Sequence, residues 1–196
     1  QILFPNPNEV VIFKTPIPES SEPNFTVQSI DVGSLTDQDS QVVNKLSSNP
    51  DVFGSKKIEQ YIEDLKIYYP IYKTAGERFG LPWYLLWIIH EEESSASRNE
   101  NAFLPNSVHY GAMQRAKAYH PDEIVNKISK DSSLLSFLPQ RHPDDWKEII
   151  WAAAKINEDS QNYKGLEQAL YRYSSKGPAA RRWQLYLKYS QVFENP

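Results

Sequence analysis

The segment Leu81 to Ser94 constrains this chain more than any other. It opens with a nine-residue apolar run, Leu81 to Ile89, and closes on His90, three adjacent glutamates and Ser94. A helix that is apolar nearly all round has no face to give to water, so other elements must wrap it. Three carboxylates at the tip of such a helix are costly to bury, and a buried carboxylate without a partner holds its proton. A proton donor to a glycosidic oxygen needs that state near neutral pH. Helical geometry aligns Glu93 with Leu86 and Ile89, and Glu92 with Leu85 and Ile88. Periodicity therefore leaves the choice between the two open, and leaves open a solvated charge run at a helix end. A membrane span needs roughly 20 apolar residues, so the segment predicts a buried central helix and no transmembrane one.

Around this helix the pattern is helical. Ile58, Tyr61, Ile62, Leu65, Tyr69, Tyr72, Ala75 and Phe79 follow i, i+3/i+4 spacing, and Gly80 with Pro82 stops that helix and starts the next. Residues 99 to 111 read as a loop. Pro121 is expected to open a helix to about Phe137. Pro143-Asp144-Asp145 caps another, with Trp146, Ile149, Ile150, Ala153 and Ile156 on one face. Leu166 to Tyr173 reads as a short helix, with a break at Gly177-Pro178 and a closing helix from Ala179 to Phe193. Strand signals after residue 56 are nearly absent, and no hairpin signal follows the glutamates. The expected fold is all-α, an orthogonal helical assembly around the Leu81–Ser94 helix.

The first 50 residues differ. They hold six of the 14 prolines, no Trp and no Tyr, and six acids against two lysines. The stretch from Pro16 to Pro23 reads as an extended linker, and Glu9 to Phe13 as a short strand or a sticky tail. The expected division is an N-terminal extension over 1–55 and a helical domain over 56–196. All five Trp and all twelve Tyr lie in the helical part, between residues 61 and 189.

Composition narrows the function classes. The net charge of −4 argues against duplex nucleic acid as the main partner. The absence of cysteine excludes disulfides, a thiolate metal site and a cysteine nucleophile. His90 and Glu93 share a face, but the second histidine that a zinc helix needs at i+4 is missing, and His109, His120 and His142 have no ligand spacing. No metal and no cofactor are expected, and His90 reads as a packed group. The chain starts at Gln1 without a basic and then apolar leader, so any signal peptide is expected to have been removed or never to have existed.

Four segments carry a resemblance. Pro82-Trp83-Tyr84-Leu85-Leu86-Trp87-Ile88-Ile89-His90-Glu91-Glu92-Glu93-Ser94 is similar to the P-W-x-L-L-x-x-I-H-x-x-E-S/T helix of soluble lytic transglycosylase (SLT) domains and their lysozyme-like relatives. Gly111-Ala112-Met113-Gln114 resembles their G-x-M-Q turn. Ile150-Trp151-Ala152-Ala153-Ala154 and Ala169-Leu170-Tyr171-Arg172-Tyr173 resemble their later A-x-x-x-A-A helix and A-L-x-x-Y-N segment. The likeness covers about residues 65 to 193, in order. It implies a lysozyme-like fold with Glu93 as the sole catalytic acid. It also implies a cleft lined by Ser94, Tyr110, Met113, Gln114, Tyr171 and Tyr173, with the Tyr173 hydroxyl reaching the carboxyl. The chain departs from the pattern at Ser174, where the family has Asn, and in the residues after Gln114. The serine before the turn has only Ser107 as a candidate.

What the resemblance implies is a lytic transglycosylase acting on peptidoglycan glycan strands outside the cytoplasm, as a monomer. The single acid would work alone, since no carboxylate lies between 101 and 121 to serve as a second one. A muramidase of the same fold, which would use water, and a non-catalytic glycan-binding module are the alternatives.

Overall fold

In the computed structural model, residues 37–53, 57–106, 109–116, 139–174 and 176–194 are described. They lie in the second of the chain's two compact units, Gly33–Pro196. The expected linker at 16–23, strand at 9–13 and helix at 121–137 fall outside them, as does Ser107.

Among the described residues the fold is all-α. Seven helices run in chain order: α1 (Asp37–Ser47), α2 (Pro50–Phe53), α3 (Ile58–Phe79), α4 (Trp83–Ser94), α5 (Asp145–Asn162), α6 (Leu166–Tyr173) and α7 (Lys176–Phe193). None of them is long and apolar enough to cross a membrane.

Of the periodic apolar positions of α3, Leu65, Tyr69, Tyr72 and Ala75 are buried, joined by Tyr68 and Ile71, and Ile58, Tyr61, Ile62 and Phe79 pack half-buried against the core. Gly80 ends the helix at φ 63°, a left-handed conformation that glycine adopts without a Cβ penalty. The chain turns and α4 enters the centre. Seven consecutive α4 residues, Tyr84 to His90, are buried. Helices α3, α5 and α7 all pack on it, which is how an all-apolar helix escapes water. On α5 the face predicted from spacing, Trp146, Ile149, Ile150, Ala153 and Ile156, is buried in the same core.

Helices α1 and α2 lie within the stretch expected as an extension, and Leu46 and Phe53 belong to the core. The Phe53 ring centroid lies 4.7 Å from that of Tyr189 and 6.0 Å from that of Trp87.

Two local expectations need correction. The final helix begins at Lys176, not Ala179, so Gly177 and Pro178 form its first turn instead of a break. Proline costs little there, because the first-turn N–H groups have no intrahelical acceptor anyway. A minimal hairpin also exists: β1 (His109–Tyr110) pairs antiparallel with β2 (Arg115–Ala116), in the register His109 with Ala116 and Tyr110 with Arg115. Two-residue strands are too short to show alternation in a sequence. A 3-10 turn at Glu100–Phe103 precedes it in the segment read as loop.

Candidate active site

The end of α4 is built with local strain. Ser95, Ala96 and Ser97 adopt φ of 53°, 49° and 63°, three successive left-handed residues without a glycine. Each such residue costs about 1–2 kcal/mol, so surrounding bonds must hold the turn. Ser94 is the first of these. Its hydroxyl donates to the Ala112 carbonyl at 2.7 Å and accepts from the Ser97 amide at 3.0 Å. His90 is the second. It is fully buried, with Nδ1 2.8 Å from the Tyr72 hydroxyl and Nε2 2.7 Å from the Ser97 hydroxyl. Burial, with Arg141 and Arg98 nearby, lowers its pKa to about 3, so the ring is neutral.

The Ser94–Ala112 bond joins two segments that the sequence holds 18 residues apart. The turn 111–114 sits against the tip of α4, with Ala112 and Met113 buried. Gly111 has φ 88°, and a Cβ there would meet the Glu148 carboxyl carbon at 2.7 Å. Gln114, also left-handed at φ 48°, donates through Nε2 to the carbonyls of Ala102 and Gly111 at 2.9 and 3.0 Å. The Tyr173 hydroxyl donates to the Met113 carbonyl at 2.8 Å. Ser94, Met113, Gln114 and Tyr173 are thus brought together.

Glu93 lies beside this turn with 19% of its side chain exposed. Arg182 of α7 donates from Nη2 to Oε1 at 2.6 Å. Burial raises the carboxyl above its ordinary range, while Arg182 and then His109 oppose the rise. Glu93 also helps push the buried Tyr173 phenol well up, second to burial itself. The Tyr173 proton goes to Met113 rather than to Glu93, so the tyrosine braces the turn and stands near the carboxyl without bonding to it.

The other expected residues divide. The Tyr110 ring packs edge-on against Phe103, with centroids 5.8 Å apart. Tyr171 is half-buried on α6, two residues before Tyr173 and therefore on the opposite side of the helix. Glu91 and Glu92 face elsewhere. Glu92 pairs with Arg181 at 3.1 Å, and Glu91 lies 3.2 Å from Arg98. Burial, then Asp64, pushes the Glu91 carboxyl up. A cavity of about 380 Å³ opens on that side, between Tyr61, Trp87, Glu91, Glu92, Arg98 and Tyr189; Glu93 is not in its wall.

Two residues at the site have no signal in the sequence. One is Arg182, whose partner is 89 positions away. The other is Glu148 of α5, buried behind Gly111 and bonded to Arg115 at 2.5 Å. Burial lifts its carboxyl to about 7 against the pull of Arg115. Among the described residues no group of three or more His, Asp or Glu could hold a metal ion.

No family model, curated protein or solved structure matches the chain. The site is therefore read from its own contacts.

Proposed function

We propose that this chain is a peptidoglycan lytic transglycosylase of lysozyme-like fold, with Glu93 as its single acid and base. One observation carries the reading: the Ser94 hydroxyl bond to the Ala112 carbonyl, which seats the 111–114 turn against the tip of the helix that carries Glu93. The Tyr173 bond to Met113 adds the third segment to the same place. Those are three of the four segments on which the resemblance rests, and contacts between them are what a common site requires. The support lies in these contacts and in the raised Glu93 carboxyl, not in the cavity on the Glu91 side.

The chemistry follows from one titrating group. Protonated Glu93 gives its proton to the glycosidic oxygen between N-acetylmuramic acid and N-acetylglucosamine, and the bond to the muramoyl anomeric carbon breaks. The substrate's acetamido group stabilises the positive charge developing on that carbon. The Glu93 carboxylate then takes the proton of the muramoyl 6-hydroxyl, whose oxygen closes on the same carbon to give a 1,6-anhydro end. Glu93 regains its proton and no water is consumed. No acid lies within the 109–116 hairpin to act as a second carboxylate, and Glu148 is 3% exposed behind Gly111, where no substrate reaches it. Glycan strands outside the cytoplasm are the substrate, met by a monomer, with Tyr110 and Gln114 offered as sugar contacts around the turn.

Mass spectrometry of purified sacculi after digestion tests this. Anhydro-muropeptides are the expected products. Reducing ends would replace the reading by the muramidase, and no soluble product by the glycan-binding module.

A further inference from the structure

Arg182 is a charge that packing alone does not explain. It is 3% exposed, and among the described residues only Nη2 of its three guanidinium nitrogens has a partner, the Glu93 Oε1. Nε and Nη1 are buried without one. A guanidinium buried with two unused donor nitrogens weakens the fold, and the bond to Glu93 is what offsets that cost among the described residues. The Tyr173 ring centroid lies 6.0 Å from its guanidinium carbon. Glu93 Oε1 is taken by Arg182, whereas Oε2 has no hydrogen bond from the described residues.

We infer that Arg182 is a positioning residue for Glu93, anchoring Oε1 so that Oε2 is the oxygen that delivers and recovers the proton. The inference rests on the reading of Glu93 as the acid and base. When the Oε2 proton passes to the glycosidic oxygen, the charge left on the carboxyl meets a guanidinium already 2.6 Å away, so nothing must reorganise. When the 6-hydroxyl proton returns, it returns to Oε2. Four groups on four elements act on or stand near this carboxyl: Arg182 on α7, His109 on β1, Tyr173 on α6 and, from the other side of α4, the charge of Glu92. The first two favour its charged form, with Arg182 the stronger. Glu92 and burial favour the proton. The balance leaves the carboxyl raised above its ordinary range, with Arg182 the largest opposing pull.

The test is kcat and KM on purified sacculi against pH, for the full chain and for Arg182→Gln and Arg182→Lys. It is paired with a carbon-13 NMR titration of the glutamate carboxyls, with Glu93 assigned through Glu93→Gln. Arg182→Gln is expected to lower kcat roughly tenfold to a hundredfold with little change in KM, because Arg182 is buried away from substrate. It should also move the alkaline limb and the Glu93 titration up together by about one pH unit or more. Arg182→Lys keeps the charge on a different stem and should recover part of each effect. Should Arg182→Gln fail to fold, Arg182→Lys decides alone, through a several-fold loss of kcat at constant KM. In an active, folded chain, a Glu93 titration unmoved by Arg182→Gln, or an Arg182→Lys kcat equal to that of the parent, overturns the inference and leaves the function standing. Absence of turnover in the parent chain overturns the function, and the proton role of Arg182 with it.

Discussion

Gly111 shows how much a single position carries. Its φ of 88° suits glycine, and a methyl group placed there would stand 2.7 Å from the Glu148 carboxyl carbon, in a buried and bonded side chain with little room to retreat. Gly111→Ala is expected to destabilise the chain by about 2 kcal/mol or more, from the left-handed backbone and the clash together. Its melting temperature checks this; an unchanged value would mean that Glu148 moves aside freely. At this scale the sequence was partly legible. Gly111 and Gln114 stand out through the likeness of their turn to G-x-M-Q, and the glutamates stand out because charge at the end of an apolar run is expensive. Arg182 and Glu148 did not. Each reads locally as one more charged residue on a helix, and only the folded chain brings them to Glu93 and Gly111.

Among elements, the junction of α4 with the 111–114 turn is the feature that makes a site. Ser94 holds it by accepting from the Ser97 amide and donating to the Ala112 carbonyl, both buried. Ser94→Ala removes one hydroxyl and leaves two backbone groups without a partner, on a turn already carrying three left-handed residues. The expected cost is about 1–3 kcal/mol, read by denaturant unfolding. Turnover should fall further than stability explains, because Glu93 loses its fixed place beside the turn. Loss of stability with full turnover of the folded fraction would detach the junction from the chemistry. Element identities are largely readable, since α3 and α5 carry a clear apolar period and α4 is an apolar run ended by charge. The 109–116 hairpin was not, because two residues per strand leave no alternation to see. The start of α7 is hidden because Gly177-Pro178 is breaker chemistry in a helix interior and acceptable in a first turn.

For the molecule as a whole, buried ionisable groups set the response to pH. Glu148 keeps its proton to about pH 7 in the fold, whereas an unfolded glutamate releases it near the ordinary carboxyl value of about 4.3. The native chain binds the extra proton in that window, so stability falls as pH rises through it. Glu93 and Asp145, raised by burial, act in the same direction. His90, held neutral down to about pH 3, has the opposite sign: the unfolded chain takes up a proton below about 6.5, and stability falls as pH drops from there. The melting temperature is therefore expected to peak between about pH 4 and 6. Glu148→Gln should flatten the decline between about pH 5 and 7, a contribution on the order of 2–4 kcal/mol. A melting temperature that climbs steadily to pH 8 would contradict this assignment of buried protons.

The central claim is that one carboxyl does all the proton work, and Glu93→Gln measures it most directly. The amide keeps the size of the side chain and an oxygen for Arg182, but has no proton to give a leaving group. Release of soluble muropeptides from purified sacculi, followed over time at equal folded concentration, should fall by at least about a thousandfold. Release by Glu93→Gln at the rate of the parent chain would contradict the account.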